Sequence, residues 1–138
     1  MIDKKRNNLI FENIPDDVDD SDAPWTELLE EDYHVKVFAD KYPVTPGHLL
    51  YVPKYNTLGV LSDAFEDAVR YGKKMVETGE WDGFNIGLNY GPSAGQTVSW
   101  PHIHLIPRRS GDVEDPIGGV RNTIPGKGNY RSPNYRAD

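Results

Sequence analysis

The chain has 138 residues, with 15 Lys plus Arg, 22 Asp plus Glu and no cysteine. That length suits one domain with a modest core, and the missing thiols exclude a disulfide framework, a thiolate zinc site and a cysteine nucleophile. No apolar run approaches the roughly 20 residues that span a bilayer, and the charged start does not resemble a signal peptide, so no membrane segment is expected and the cytoplasm is the expected compartment.

The formal net charge of −7 at first argues against an anionic ligand, but its placement changes that reading. Residues 1–32 hold 11 acids and 3 bases, whereas residues 33–138 hold 11 acids and 12 bases. The acidity therefore belongs to an N-terminal leader over 1–32, densest at Asp16-Asp17-Val18-Asp19-Asp20, and phosphate ligands stay open to the rest of the chain. Within the leader, Leu9-Ile10-Phe11 reads as a short strand or an anchor, and Ala23 to Glu31 as one or two helical turns.

Residues 33–109 read as the folded body. Val35 and Val37 alternate in a strand over Tyr33 to Phe38, and Pro43, Pro46 and Gly47 punctuate the turn that follows. His48 to Val52 is a second strand, closed by Pro53. Asp63 with Glu66 resembles a capping box, and Phe65, Ala68, Val69, Gly72, Met75 and Val76 recur at helical spacing up to a stop at Gly79. Phe84, Ile86 and Leu88 mark a third strand, and Val98 to Ile106 a fourth. This order predicts an α+β domain whose last two strands form an antiparallel pair. Residues 110–138 form a Gly/Pro-rich C-terminal arm, and Arg108, Arg109, Arg121, Lys127, Arg131 and Arg136 give the last third of the chain its basic character, either solvated or with Arg108 or Arg121 meeting a polyphosphate. No dense basic stripe with interleaved aromatics appears, so nucleic acid is not an expected partner. His34 reads as a lone surface histidine, and Tyr33, Tyr51 and Trp81 as core or edge aromatics.

The chemistry concentrates between Asn89 and Arg109. On an extended strand Trp100, His102, His104 and Ile106 share one face, directly after the loop Gly91-Pro92-Ser93-Ala94-Gly95-Gln96-Thr97. From spacing alone three readings stay open. The pair is an ordinary strand feature, it chelates a metal with His48 or His34, or it works on a phosphate held by loop amides. A nucleophilic imidazole needs its second nitrogen held protonated by an acceptor.

Gly95-Gln96-Thr97-Val98 through Arg108 resembles the signature of the histidine triad nucleotide hydrolases and transferases, in which His-x-His-x-His follows Gly-Gln-Ser/Thr-Val. Asp40 to Lys54 resembles the same family's first strand–turn–strand unit, and the segment Gly111 to Arg121 resembles the tail of bacterial members that cleave dinucleoside polyphosphates. The resemblance implies an α+β fold with a mainly antiparallel five-stranded sheet, one long and one short helix, and a homodimer that continues the sheet. It implies attack by His102 on an α-phosphorus to give a nucleotidyl-histidine, with His104 contacting phosphate and His48 supporting it. It places Asp40 at ribose and Asn89, Gln96, Thr97 and Trp100 around the substrate. No tightly bound cofactor is implied, only Mg²⁺ carried with a polyphosphate. The chain departs from the family at two positions. Trp100 replaces the first triad histidine, whose main-chain carbonyl holds the nucleophile's far nitrogen, and Asn56 stands where a peripheral histidine is usual. Pro101 also resembles the His-Pro-His segment of galactose-1-phosphate uridylyltransferases, although those continue with Gln where this chain has His104. Trp100 leaves a second reading open, a nucleotide-binding module with impaired turnover.

Overall fold

The computed structural model describes residues 25–137. Five strands, β1 (Trp25–Glu31), β2 (Val35–Asp40), β3 (Leu49–Pro53), β4 (Gly83–Leu88) and β5 (Ile103–Arg108), form one antiparallel sheet in the order β1-β2-β3-β5-β4. One helix, α1 (Leu58–Glu77), packs on one face. This is the predicted α+β class, with an antiparallel β4–β5 pair as expected. Among the described residues the short second helix is represented by two 3₁₀ turns, Pro92–Ala94 and Gly119–Thr123.

Strand alternation divides the sheet into two faces with different tasks. Val35, Val37, Leu49, Tyr51, Ile103 and Leu105 point at α1 and build the main core with Ala64, Ala68 and Trp81. The intervening residues point the other way. Register places Phe38, Leu50, His104 and Gly87 in one row across the sheet, with Asp40 and His48 in the next row. On this second face Leu50 and Val52 are fully buried under Val98, Trp100 and Phe38. β3 is thus buried on both faces and forms the floor of the second one.

Two local expectations are corrected. The sequence suggests one or two helical turns over Ala23 to Glu31, but residues 25–31 are the edge strand β1, so the sheet includes part of the acidic leader. Two register shifts break its alternation, which hides a strand from periodicity, and its glutamates suit an exposed edge. The rest of the leader, including Asp16–Asp20 and Phe11, lies outside the described residues. The capping box at Asp63 is also replaced. The helix begins six residues earlier, where Thr57 is the N-cap and its hydroxyl accepts from the Val60 amide at 3.0 Å. Asp63 instead sits 3.1 Å from His34 Nδ1, so His34 is half-buried and partnered rather than alone. Tyr51 and Trp81 are buried as expected, whereas Tyr33 is exposed in the β1–β2 turn.

The fourth predicted strand is shorter than Val98 to Ile106. Regular pairing begins at Ile103, because Pro101 has no amide to donate and the chain bends at Val98 to Trp100. The C-terminal arm is tied to itself. Arg121 donates to the carbonyls of Gly128 and Lys127, and Asn129 donates to Asp115. Arg108 holds Asp112 through two bonds and Asn85 through a third. Both arginines singled out for a polyphosphate are therefore engaged within the chain.

Candidate active site

His102, His104 and His48 converge on the face opposite α1, joined by Asp40. Each arrives by a different device. Asp40 ends β2, and the turn after it lands on Gly47, whose φ of +89° is a left-handed conformation that suits glycine. The turn closes when the His48 amide donates to the Thr45 carbonyl, which sets His48 at the mouth of β3. His104 lies on β5, directly across from Leu50. His102 sits just before β5, in the segment between Pro101 and the first ladder residue.

The bonding pattern fixes where each proton sits. The Val44 amide donates to His48 Nδ1 at 3.2 Å, so a neutral His48 carries its proton on Nε2. That Nε2 lies 3.0 Å from His104 Nδ1 and 3.3 Å from Asp40 Oδ2. His104 Nδ1 therefore accepts, and the His104 proton resides on Nε2. His102 Nδ1 donates to the Trp100 carbonyl at 2.9 Å, which puts the ring's lone pair on Nε2. Three neutral imidazoles are thus set in defined tautomers by one loop amide and one carbonyl.

Burial keeps them neutral. His48 and His102 are 4% and 8% exposed. Desolvation lowers the basicity of both, against the Asp40 carboxylate and, for His102, the Trp100 carbonyl, which favour the charged form. His104 is pushed down to about 4, first by burial and then by the repulsion of His102 and His48. Near neutral pH the cluster offers one lone pair and one N–H, which is the pair of functions that attack on phosphorus needs.

The other expected site residues divide. Asp40 is brought into the cluster, but its side chain is 6% exposed and its second oxygen accepts from the Tyr42 amide at 2.8 Å. Asn89 and Thr97 are exposed, Asn89 just beyond the end of β4. Gln96 braces the loop. Its oxygen accepts from the Gly91 amide at 2.8 Å, and its nitrogen donates to the carbonyls of Val98 and Ser99 at 3.0 and 3.3 Å. The amides of Ala94, Gly95 and Gln96 also bond within the loop, so the expected cradle of amides is largely turned inward. Trp100 packs on Leu50, Val52 and Val98, and its indole N–H donates to the Pro53 carbonyl at 2.9 Å.

Three donor atoms also stand where one metal ion could be held: Asp40 Oδ2, His48 Nε2 and His104 Nδ1. His102, part of the metal alternative drawn from the sequence, is not among them. The hydrogen bonding opposes such an ion, because the Val44 amide places the His48 proton on the very nitrogen that would have to ligate. Sequence reasoning missed the Val44 amide and the Pro53 carbonyl altogether. Both are main-chain groups, and no residue type signals them.

Residues 24–111 match the HIT domain. Over 103 residues the chain is 39% identical to an uncharacterized HIT-like protein of Methanocaldococcus jannaschii, covering 70% of this chain and 80% of that one. It is 36% identical over 92 residues to the adenosine 5'-monophosphoramidase HNT1 of Saccharomyces cerevisiae, covering 64% of this chain and 58% of the relative. It is 32% identical over 85 residues to the asymmetrical bis(5'-nucleosyl)-tetraphosphatase of Schizosaccharomyces pombe, covering 56% and 47%. The chain thus spans about half the length of these two named enzymes. Among solved structures, a Zn-bound histidine triad family protein from Mycobacterium smegmatis superposes with a TM-score of 0.57 at 33% identity, over 67% of this chain and 71% of that one. With the fold, the paired histidines and the matched segment in agreement, the chain belongs to the HIT domain family.

Proposed function

We propose that the protein is a nucleotide hydrolase or nucleotidyl transferase that acts at the α-phosphate of a nucleoside polyphosphate through a nucleotidyl-His102 intermediate. The observation that carries this reading is the 2.9 Å bond from His102 Nδ1 to the Trp100 carbonyl. The lone pair on Nε2 attacks the α-phosphorus, the bond to the leaving group breaks, and the leaving group departs with the electron pair. The adduct is a phosphorylated imidazolium, and the same carbonyl stabilises the positive charge that appears on the ring. Water then attacks phosphorus, releases the nucleoside monophosphate and a proton, and restores neutral His102. Another acceptor in place of water makes the reaction a transfer. His104 donates from Nε2 to a non-bridging oxygen, and His48 with Asp40 holds His104 in the donating tautomer. Relatives named as a monophosphoramidase and a dinucleoside tetraphosphatase support the substrate class, and a dinucleoside polyphosphate is the favoured member of it.

The cluster works without a resident metal in this reading, because its hydrogen bonds and an ion compete for the same nitrogen. Mg²⁺ enters with the polyphosphate. We further propose a homodimer whose two sheets join into one, as the family resemblance implies. No helix among the described residues is long and apolar enough to cross a membrane.

The test is a rapid quench into base after mixing with a dinucleoside polyphosphate labelled at the α-phosphate. An acid-labile, base-stable label on His102 is expected, and His102→Gly should bind nucleotide without acquiring it. Nucleotide binding by the wild type with neither adduct nor turnover would instead make the protein a binding module.

A further inference from the structure

The indole of Trp100 stands where the family places a histidine, and its bonding gives it a different task. Residues 98–102 lie outside the β5 ladder, so among the described residues no sheet hydrogen bond fixes the Trp100 carbonyl that receives the His102 proton. Two side chains hold this segment instead. Gln96 grips the carbonyls of Val98 and Ser99, and the Trp100 indole N–H reaches across to the Pro53 carbonyl at the end of β3. The ring packs against the buried cluster of Leu50, Val52 and Val98. An indole has a single N–H, and Pro53 already takes it, so this side chain has no donor to offer a substrate.

We propose that Trp100 is a positioning residue that pins its own carbonyl to the end of β3 and thereby holds His102 in the tautomer with its proton on Nδ1. The nucleophile is then registered to the most buried strand of the sheet through one side-chain bond. The inference rests on the assignment of His102 as nucleophile, and it removes the Trp100 N–H from the donors open to substrate.

Two measurements test it. In the first, Trp100→Phe keeps a planar ring in the apolar cluster and deletes the N–H. Nitrogen–proton correlation spectra of the imidazoles should give a single Nδ1–H tautomer for His102 in the wild type and a mixture in the variant. The same change should lower kcat about tenfold with KM within about twofold, the consequence of one lost positioning hydrogen bond. Val98→Ala loosens the same cluster but leaves the indole bond in place, and it should keep both the tautomer and kcat. Wild-type tautomer and kcat in Trp100→Phe would overturn the proposal, as would an equal loss in Val98→Ala. The second measurement needs no variant and so survives a failure of Trp100→Phe to fold. In the wild type the Trp100 indole proton and the His102 Nδ1 proton should exchange with solvent at a common, slow rate. A fast indole proton beside a protected His102 proton would refute the coupling. The spectra and exchange rates do not depend on turnover, so they separate failure of this inference from failure of the proposed activity.

Discussion

Acidification should unfold this protein by way of its active-site histidines, with His104 giving the largest single effect. Its folded-state value of about 4 stands against 6.5 for an ordinary histidine, and its side chain is only 20% exposed. Between those values the unfolded chain carries a proton that the folded chain refuses. Stability therefore falls as pH falls through this window, and the contribution is fully present above pH 6.5. One proton corresponds to about 1.4 kcal/mol per pH unit, so His104 alone removes about 3 kcal/mol by the bottom of the window, on the order of a quarter to a half of a small domain's stability. His48 and His102, also lowered by burial, act with the same sign. Urea unfolding at intervals from about pH 4.5 to 7.5, on wild type and His104→Asn, gives the slopes. The variant's slope should be flatter by up to about one proton. Parallel curves would mean that His104 titrates alike in both states, and would refute the neutral, buried cluster.

Three further outcomes follow from the same geometry. The Asp40 carboxylate favours the charged form of all three imidazoles, so Asp40→Asn should move the acid limb of the kcat/KM–pH profile to lower pH, and a shift upward would contradict its placement. Gly72→Ala pits helix propensity against packing. Alanine gains about 1 kcal/mol in a helix, but its Cβ would lie 2.8–3.0 Å from the Phe84 ring, at a cost of about 1–3 kcal/mol. Net destabilisation in thermal unfolding, relieved by Phe84→Leu, is expected. Thr57→Ala removes the N-cap bond to Val60 and should cost about 1 kcal/mol in urea unfolding without changing KM.

The sequence was most legible where side chains carry the pattern. Alternation at Val35, Val37, Phe84, Ile86 and Leu88 located strands, and the His102–His104 pair with His48 located the cluster. It misled where backbone irregularity breaks the period. β1 carries two register shifts and looks like a helix, and Val98 to His102 bends away from the strand its residues suggest. Asp63 looked like a cap because it stands three residues before Glu66, yet its carboxylate turns to His34. The family resemblance implies that Gln96 and Trp100 lie at the substrate. The structure gives their N–H donors to carbonyls of the chain itself and the Gln96 oxygen to the Gly91 amide, and only atomic positions reveal which partner a polar atom has chosen.

The Val44 amide has a consequence for which residues position 44 can accept. Its side chain is 70% exposed and contributes nothing to the cluster, while its N–H sets the His48 tautomer and, through it, the proton on His104. Almost any side chain should therefore serve there, and one residue should not. Proline lacks the N–H, so Val44→Pro would leave His48 Nδ1 without its donor and allow the proton to migrate to it. The His48–His104 pair would then reverse its polarity, and in the proposed mechanism His104 would turn a lone pair toward a phosphate oxygen where a proton is needed. A solvent-facing position in an irregular turn thus governs the direction of the hydrogen bond between the two imidazoles behind it.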